Sequence, residues 1–150
     1  MRTVRDMSHA TDAFAAELPV VACVGAVVLD ARGRLLLIRR GHEPGRGLWS
    51  VPGGRVEAGE SAAAAVEREV REETGLAVRA GTEVGRVRVR GPGVLYDVVD
   101  LTCTLLDPEA TPVAGDDADA VTFADAADLE RLTCTPQLLE TLRGWGVLPT

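Results

Sequence analysis

The sequence predicts an α/β fold, a three-layer α/β/α sandwich in which helices flank a mixed β-sheet. Continuous β-branched segments and alanine- or leucine-rich helical segments alternate irregularly along the chain, and a Gly-Pro-Gly turn joins two of the predicted strands directly. The 150 residues, of which 46% are hydrophobic and 26% are charged, suit a single globular domain. We place that domain at residues 20–150 and expect residues 1–19 to form a tail or a short helix.

The first part of the domain contains two strands followed by glycine-rich loops. Residues 19–29 are continuously apolar and rich in β-branched side chains, which is typical of a strand buried on both faces. After a turn at residues 30–33, the chain resumes as a second strand at residues 34–39. A further strand-like segment then stops at the paired glycines Gly53 and Gly54, which end regular structure.

The clearest helix is predicted at residues 61–74. Ser61 is a good N-cap, four alanines favour the helix, and Gly75 stands where a C-terminal cap belongs. The remaining predicted elements are a strand at residues 84–90, a turn at residues 91–93, a strand at residues 94–106, a short strand at residues 120–123, and helices at residues 125–132 and 136–145.

Charge and cysteine content exclude several classes of protein. A formal net charge of −7, with no lysine, argues against a basic surface that binds nucleic-acid phosphates. An odd number of widely spaced cysteines (Cys23, Cys103 and Cys134) predicts free thiols in a reducing cytoplasm. The longest apolar run, residues 18–29, is too short to cross a bilayer, and the acids before it do not suit a signal peptide. We therefore expect a cytoplasmic protein that binds neither nucleic acid nor membrane.

Three glutamates of the predicted helix fall on one face. Glu69, Glu72 and Glu73 project within an arc of roughly 100°. Carboxylates that lie so close raise one another's pKa unless a cation neutralises them, and oxygen ligands suit a hard divalent ion such as Mg²⁺. A solvated helix face with ion pairs spaced i, i+4 would explain the same pattern without any metal.

A longer motif surrounds these glutamates, and it resembles the signature box of the Nudix hydrolases at every fixed position. The fixed positions are, in order, Gly54, Glu60, Arg68, Glu69, Val70, Glu72, Glu73, Gly75 and Leu76. Segments at residues 25–28, 34–40 and 48–54 also look like the family's leading strands, so the resemblance runs from about residue 20 to residue 106.

The resemblance implies an enzyme that hydrolyses a nucleoside diphosphate linked to another group, with Mg²⁺ as cofactor and Mn²⁺ as a substitute. The implied metal ligands are Glu69, Glu72, Glu73 and the carbonyl of Gly54. Arg68 would pair with Glu60 and with one helix carboxylate. A guanidinium fixed in this way is a good organiser of carboxylate ligands.

The box does not identify the general base that takes a proton from the attacking water. Glu72 is one candidate, and the acids of a later loop, Asp116, Asp117 and Asp119, are the others. The three aspartates also fit an ordinary solvated loop with turn propensity. The base is therefore left open between the helix and this loop.

Two residues outside the box are candidates for substrate contacts. Arg40 ends the second strand and resembles a position that often contacts phosphate in the family, although a surface strand end explains it equally well. Trp49 is the leading candidate for stacking on a nucleobase, against the simpler expectation that it packs in the core.

The implied substrate is a nucleotide and not a macromolecule. The strand at residues 94–106 and the loop at residues 114–117 look most like small bacterial ADP-ribose pyrophosphatase-type members, so ADP-ribose or a similar nucleotide sugar is expected. A pyrophosphatase of nucleoside triphosphates, including oxidised purines, is the alternative. A non-catalytic nucleotide-sensing domain is a third reading, against which the intact box argues. Because dimers are frequent in the family, a homodimer is also expected.

Overall fold

A computed structural model describes residues 18–149, so the predicted N-terminal tail lies outside the described residues except for its last two. The elements are β1 (Val20–Val28), β2 (Leu35–Arg40), β3 (Trp49–Ser50), β4 (Gly53–Arg55), α1 (Ala62–Thr74), β5 (Val78–Gly91), β6 (Val94–Leu105), β7 (Ala118–Ala124), α2 (Ala126–Arg131) and α3 (Leu138–Gly144). The α/β class with a mixed sheet is confirmed. The prediction that Gly53 and Gly54 end regular structure is wrong, because both belong to β4 and pair with Gly25 and Val24 of β1. None of the helices within residues 18–149 is long and apolar enough to cross a membrane.

The strands form two sheets and not one. The larger sheet has the order β4-β1-β6-β5 and is mixed, because β1 and β6 run parallel while its other pairs are antiparallel. The smaller sheet has the order β3-β2-β7 and is antiparallel. Strand β1 already has β4 on one side and β6 on the other, so β2 has no free edge of β1 along which to pair.

Strand β5 begins well before the predicted strand at residues 84–90. Its register against β6 shifts between Ala80 and Glu83 and again between Glu83 and Gly85. These irregularities interrupt the alternation of buried and exposed side chains, which is why the pattern does not reveal the first half of the strand. The carboxylate of Glu67 on α1 accepts a hydrogen bond from the backbone N–H of Ala80 at 2.8 Å and anchors the irregular segment to the helix.

Helix α1 has the predicted caps at both ends. The Ser61 hydroxyl accepts a hydrogen bond from the backbone N–H of Ala64, and Gly75 adopts a left-handed conformation with φ of 72°. The helix packs Ala65, Val66 and Val70 against the larger sheet, and all three are fully buried. This packing fixes the helix on one face of the sheet and leaves its glutamate-bearing side at the edge formed by β4.

A second apolar core lies on the other face of the larger sheet. It joins that sheet to the smaller one and to α2 and α3, with Val27, Leu35, Leu37 and Leu142 among its buried residues. The ring of Trp145 lies against Gly85, where an added Cβ would come within 2.1 Å of the indole.

Asp100 of β6 lies between these apolar groups with its carboxyl buried. The residue is 6% exposed, and within residues 18–149 no group donates a hydrogen bond to its side chain. Burial alone raises the pKa of Asp100 to about 6 from 3.8. The folded state therefore disfavours the ionised form. Relative to high pH, the protonated side chain of Asp100 contributes to the free energy of unfolding, and this contribution is fully present below about pH 4. The contribution is lost as the pH rises through about 6 and the buried carboxyl ionises.

We predict that Asp100→Asn raises the free energy of unfolding by about 2 kcal/mol at pH 8, because it removes the cost of a buried charge. At pH 4 the gain should largely vanish. Urea denaturation at the two pH values measures the difference. An unchanged or lower stability of the variant at pH 8 would contradict the assignment of Asp100 as an unpaired buried carboxylate.

Candidate active site

Arg68 connects three segments around the predicted ligands. Its guanidinium donates to both carboxylate oxygens of Glu60, at 2.8 Å from Nε and 3.0 Å from Nη2. Further bonds run from Nη1 to Glu69 Oε1 at 2.8 Å and from Nη2 to the carbonyl of Arg55 at 2.9 Å. The hydrogen bonds from Arg68 lower the pKa of Glu60 to about 2. The loop before α1, the helix itself and β4 are therefore held in one geometry.

Glu69 and Glu73, one helical turn apart, both lie against the paired glycines of β4. Glu73 Oε1 accepts a hydrogen bond from the backbone N–H of Gly53 at 2.7 Å. A Cβ on Gly54 would lie 2.6 Å from Glu69 Oε1. Glycine at this position therefore allows the helix carboxylate to approach the strand backbone.

The electrostatic environment disfavours negative charge on these two glutamates. Burial raises the pKa of Glu73 to about 8 against the hydrogen bond from Gly53, and the charge of Glu69 adds to the rise. Burial also raises the pKa of Glu69, the charge of Glu72 adds to that rise, and Arg68 opposes it. A bound cation would offset both the burial and the repulsion.

Glu72, the third predicted helix ligand, is more exposed than the other two. Its side chain is 56% exposed, and its Oε2 lies 3.2 Å from Arg68 Nη1. No three carboxylate, imidazole or thiol groups of the described residues form a ready-made cation cage. The donor set nevertheless fits a hard divalent ion in kind, because every donor is an oxygen and the buried Glu73 carboxylate lies near that of the half-buried Glu69.

The loop before β7 packs on the C-terminal end of α1 and brings one of the predicted aspartates towards the glutamates. The backbone N–H of Gly115 donates to the carbonyl of Glu73 at 2.9 Å. A Cβ on Gly115 would lie 1.9 Å from the carbonyl of Glu72, so only glycine permits this approach. After burial, the charge of Asp117 is among the causes that raise the pKa of Glu69 and of Glu73.

The other two loop aspartates are placed differently. Asp119 Oδ1 lies over Gly41, 3.0 Å from the position of an added Cβ. Asp116 is exposed, as are Asp117 and Asp119. Of the three, Asp117 is the aspartate whose charge is among the main causes that raise the pKa of Glu69 and of Glu73, after burial.

Arg40 lies at the same side of the site. Its Nε donates to the carbonyl of Pro44 at 2.6 Å, which holds the guanidinium against the loop between β2 and β3. Burial raises the pKa of Glu73, and the positive charge of Arg40 opposes that rise. Arg40 is therefore within electrostatic reach of the predicted metal ligands.

Trp49 is held by backbone and packing contacts. Its N–H donates to the carbonyl of Thr133, and its carbonyl accepts from the N–H of Thr135, each at 2.9 Å. The half-buried ring packs against the second apolar core, with Arg39 Cζ 5.9 Å from its centroid. These are the contacts of a packed residue, and stacking of Trp49 on a base stays a prediction.

Two of the groups that hold the charged side chains of the site in place are backbone atoms, which the sequence did not predict. The N–H of Gly53 binds Glu73, and the carbonyl of Arg55 binds Arg68. The paired glycines are a signal for the first group, because a backbone without a Cβ can be approached closely. No sequence signal points to the second, because every residue carries a carbonyl.

Fold and site together define an α/β sandwich in which an acidic helix lies against a glycine-containing edge strand. Residues 19–142 match the family model described as "NUDIX domain". The chain belongs to the Nudix family.

Similarity to individual proteins supports the same family assignment. The chain is 34% identical over 114 residues to an ADP-ribose pyrophosphatase of Methanocaldococcus jannaschii, covering 76% of this chain and 66% of that protein. It is 43% identical over 67 residues to an RNA pyrophosphohydrolase of Gluconacetobacter diazotrophicus, covering 41% and 40%. The matched segments thus span less than two thirds of these curated relatives. The structure of a MutT protein from Methanosarcina mazei Go1 superposes with a TM-score of 0.75 at 22% identity, over 87% of this chain and 95% of that one, which shows a common fold.

We predict that Arg68→Lys raises the pKa of Glu60 from about 2 towards its usual 4.5, since an ammonium cannot donate two parallel hydrogen bonds to a carboxylate. Carboxyl ¹³C NMR titration measures this shift. Arg71→Lys, on the same helix, is the matched control and should leave Glu60 unchanged. If Glu60 still titrates near 2 in Arg68→Lys, Arg68 is not the group that organises the site.

Proposed function

We propose that the protein hydrolyses the pyrophosphate bond of a nucleoside diphosphate linked to another group, with ADP-ribose or a similar nucleotide sugar as substrate and Mg²⁺ as cofactor. The observation that carries this proposal is the placement of Glu69 and Glu73 against the Gly53–Gly54 backbone, with Arg68 fixing the arrangement. For ADP-ribose, attack by water would release AMP and ribose 5-phosphate. The similarity to a protein named ADP-ribose pyrophosphatase supports this choice of substrate.

In this proposal Glu69, Glu72, Glu73 and the carbonyl of Gly54 hold the divalent ions. When bound, Mg²⁺ neutralises charge on the diphosphate and lowers the pKa of a bound water. Mn²⁺ would serve as a substitute. Arg68 keeps Glu69 oriented through the 2.8 Å bond from its Nη1, while Glu60 holds Arg68 in place.

We assign the remaining roles from the same geometry. Arg40 would contact a phosphate of the substrate, since its guanidinium is fixed by Pro44 near Glu73. The general base is Glu72 or Asp117. Glu72 is exposed on the helix, and Asp117 is the loop aspartate whose charge reaches Glu69 and Glu73. Either carboxylate could take the proton of the attacking water.

A second candidate function is the release of pyrophosphate from nucleoside triphosphates, including oxidised purines. It would use the same ligands and the same base, and the similarity to a Bacillus subtilis protein named putative 8-oxo-dGTP diphosphatase, 42% identical over 59 residues, supports it. The two functions differ in what lies beyond the attacked phosphate, and the box residues do not distinguish them.

We also propose that the protein acts in the cytoplasm. The described cysteines are all free, and burial raises the pKa of the Cys103 thiol to about 12, which keeps it unreactive.

A homodimer stays a prediction, which light scattering on the purified protein tests.

The purified protein with Mg²⁺ should convert ADP-ribose to AMP and ribose 5-phosphate faster than it converts any nucleoside triphosphate. The panel should contain ADP-ribose, NADH, a dinucleoside polyphosphate, ATP, 8-oxo-dGTP and a 5′-triphosphate RNA, with products separated by anion-exchange chromatography. Turnover of triphosphates alone would overturn the ADP-ribose assignment and support the second candidate.

Glu73→Gln and Glu72→Gln should each lower kcat by at least about a hundredfold, because each removes a charge from the metal site. Circular dichroism should show that both variants fold, since the amide oxygen of Glu73→Gln can still accept the Gly53 hydrogen bond and the side chain of Glu72 is exposed. Glu67→Gln is the matched control, because Glu67 binds the N–H of Ala80 and lies outside the site. Near-normal kcat in both test variants would contradict the ligand assignment.

A further inference from the structure

Asp117 is an exposed residue whose position beside the helix carboxylates depends on its main chain. After burial, its charge is among the causes that raise the pKa of Glu69 and Glu73. Within the described part of the chain, no group donates a hydrogen bond to its carboxylate. Because an aspartate side chain is short, its carboxylate stays close to its own main chain. Whatever fixes the main chain at residue 117 therefore also fixes this charge.

The pairing between β2 and β7 changes just before Asp117 is reached. The first five pairs of these strands are in regular register, but Arg40 then pairs with Ala118 and leaves Asp119 without a pairing partner on β2. A regular ladder would place Gly41 opposite Ala118. The extra residue is a β-bulge, and it shifts the register by one position, so that Asp117 lies opposite Gly41.

Backbone hydrogen bonds hold Asp117 from two sides. The N–H of Gly41 donates to the carbonyl of Asp117 at 3.2 Å. On the other side, the N–H of Ala118 donates to the carbonyl of Gly115 at 3.2 Å and closes a turn that contains Asp117. Gly115 is in turn bonded to the carbonyl of Glu73 at 2.9 Å. The main chain of Asp117 is therefore held between the end of β2 and the C-terminal end of α1.

Gly41 is a glycine because of this contact and not because of its backbone conformation. It is not among the described residues with a positive φ, so a larger residue could adopt its conformation. An added Cβ, however, would lie 3.0 Å from Asp119 Oδ1 and 3.2 Å from the carbonyl oxygen of Asp117. The Asp119 carboxylate can rotate away. The carbonyl of Asp117 belongs to the main chain, so a side chain at residue 41 displaces Asp117 itself.

From these contacts we infer that Gly41 is a positioning residue, which holds the Asp117 carboxylate where its charge helps to bind the divalent ion. The inference rests on the proposed function, because it assumes that cations bind at Glu69 and Glu73. It adds to that function a residue outside the acidic helix, which acts on the cation site only through the main chain of Asp117.

Arg40, the residue before Gly41, is held independently. Its guanidinium donates to the carbonyl of Pro44 at 2.6 Å, within the loop between β2 and β3. Two consecutive residues thus have separate tasks, since Arg40 is proposed to contact a phosphate and Gly41 holds Asp117. A substitution at Gly41 should therefore change cation binding and turnover more than it changes substrate affinity.

The test measures Mn²⁺ affinity by electron paramagnetic resonance, which detects the Mn²⁺ that remains free in the presence of the protein. Asp117→Asn should weaken Mn²⁺ binding at least about threefold, because a negative charge near the ion is lost. Gly41→Val should weaken it by a similar factor, since the new side chain displaces Asp117. Gly41→Ala should give a smaller loss in the same direction. If thermal denaturation shows that Gly41→Val is unfolded, Gly41→Ala takes its place in every comparison.

A double-mutant cycle shows whether Gly41 acts through Asp117. Once the carboxylate is removed, its position no longer matters, so the double variant should bind Mn²⁺ within about twofold of Asp117→Asn alone. Gly144→Ala is the matched control and should keep the wild-type affinity, because Gly144 has no neighbour within 4 Å of an added Cβ. Unchanged affinity in Gly41→Val or in Asp117→Asn, or losses that multiply in the double variant, would overturn the inference.

Kinetics on a hydrolysed substrate give a second readout. Gly41→Val should lower kcat at least about fivefold and leave KM within about twofold, whereas Arg40→Ala should chiefly raise KM because it removes a phosphate contact. A Gly41→Val variant with normal kcat and a raised KM would indicate an effect through Arg40, which contradicts the inference.

Mn²⁺ affinity and turnover together separate this inference from the proposed function. If the Mn²⁺ affinities follow the expected cycle but no nucleotide is hydrolysed, the proposed function fails while the role of Gly41 stands. If ADP-ribose is hydrolysed and Gly41→Val keeps the wild-type Mn²⁺ affinity, the proposed function stands and the role of Gly41 fails. If the wild-type protein does not bind Mn²⁺, both fail.

Discussion

The hydrogen bonds of the Arg68 guanidinium are the constraint on which the site depends. One planar group binds Glu60 before the helix, Glu69 on the helix and the carbonyl of Arg55 on the edge strand. A guanidinium has the fixed fork of donors that this requires, and it stays charged at any physiological pH. Because Arg68 neutralises part of the acidic cluster, it lowers the cost of placing Glu69 and Glu73 against β4. In the proposed function, a bound metal ion would offset the remaining cost.

The glycines allow the charged groups to meet the backbone. Gly54 lies beneath the Glu69 carboxylate, Gly53 donates to Glu73, and Gly115 lets the later loop pack on the end of α1. A Cβ at Gly54 or Gly115 would lie under 3 Å from its neighbour. These glycines are therefore as necessary to the site as the acids. Gly25 likewise leaves room for the carboxyl of Asp100 against β1.

Much of the fold and the helix of the site could be predicted from the sequence, because they depend on local signals. Ser61 and Gly75 mark the ends of α1, and the spacing of its glutamates fixes their common face. The division into two sheets and the irregular start of β5 could not be predicted, since both follow from which strand edges are already paired. The sequence could not distinguish Asp117 from Asp116 and Asp119, and it did not reveal that Asp100 is buried. Both properties depend on tertiary packing.

The central claim is that crowded carboxylates on α1 bind divalent cations that hold a diphosphate. Anomalous diffraction from crystals soaked with Mn²⁺ and α,β-methylene ADP-ribose tests it most directly. We predict manganese peaks within coordination distance of Glu69 and Glu73, with the diphosphate oxygens bound to the same ions. Diphosphate bound elsewhere, with no manganese at these glutamates, would contradict it.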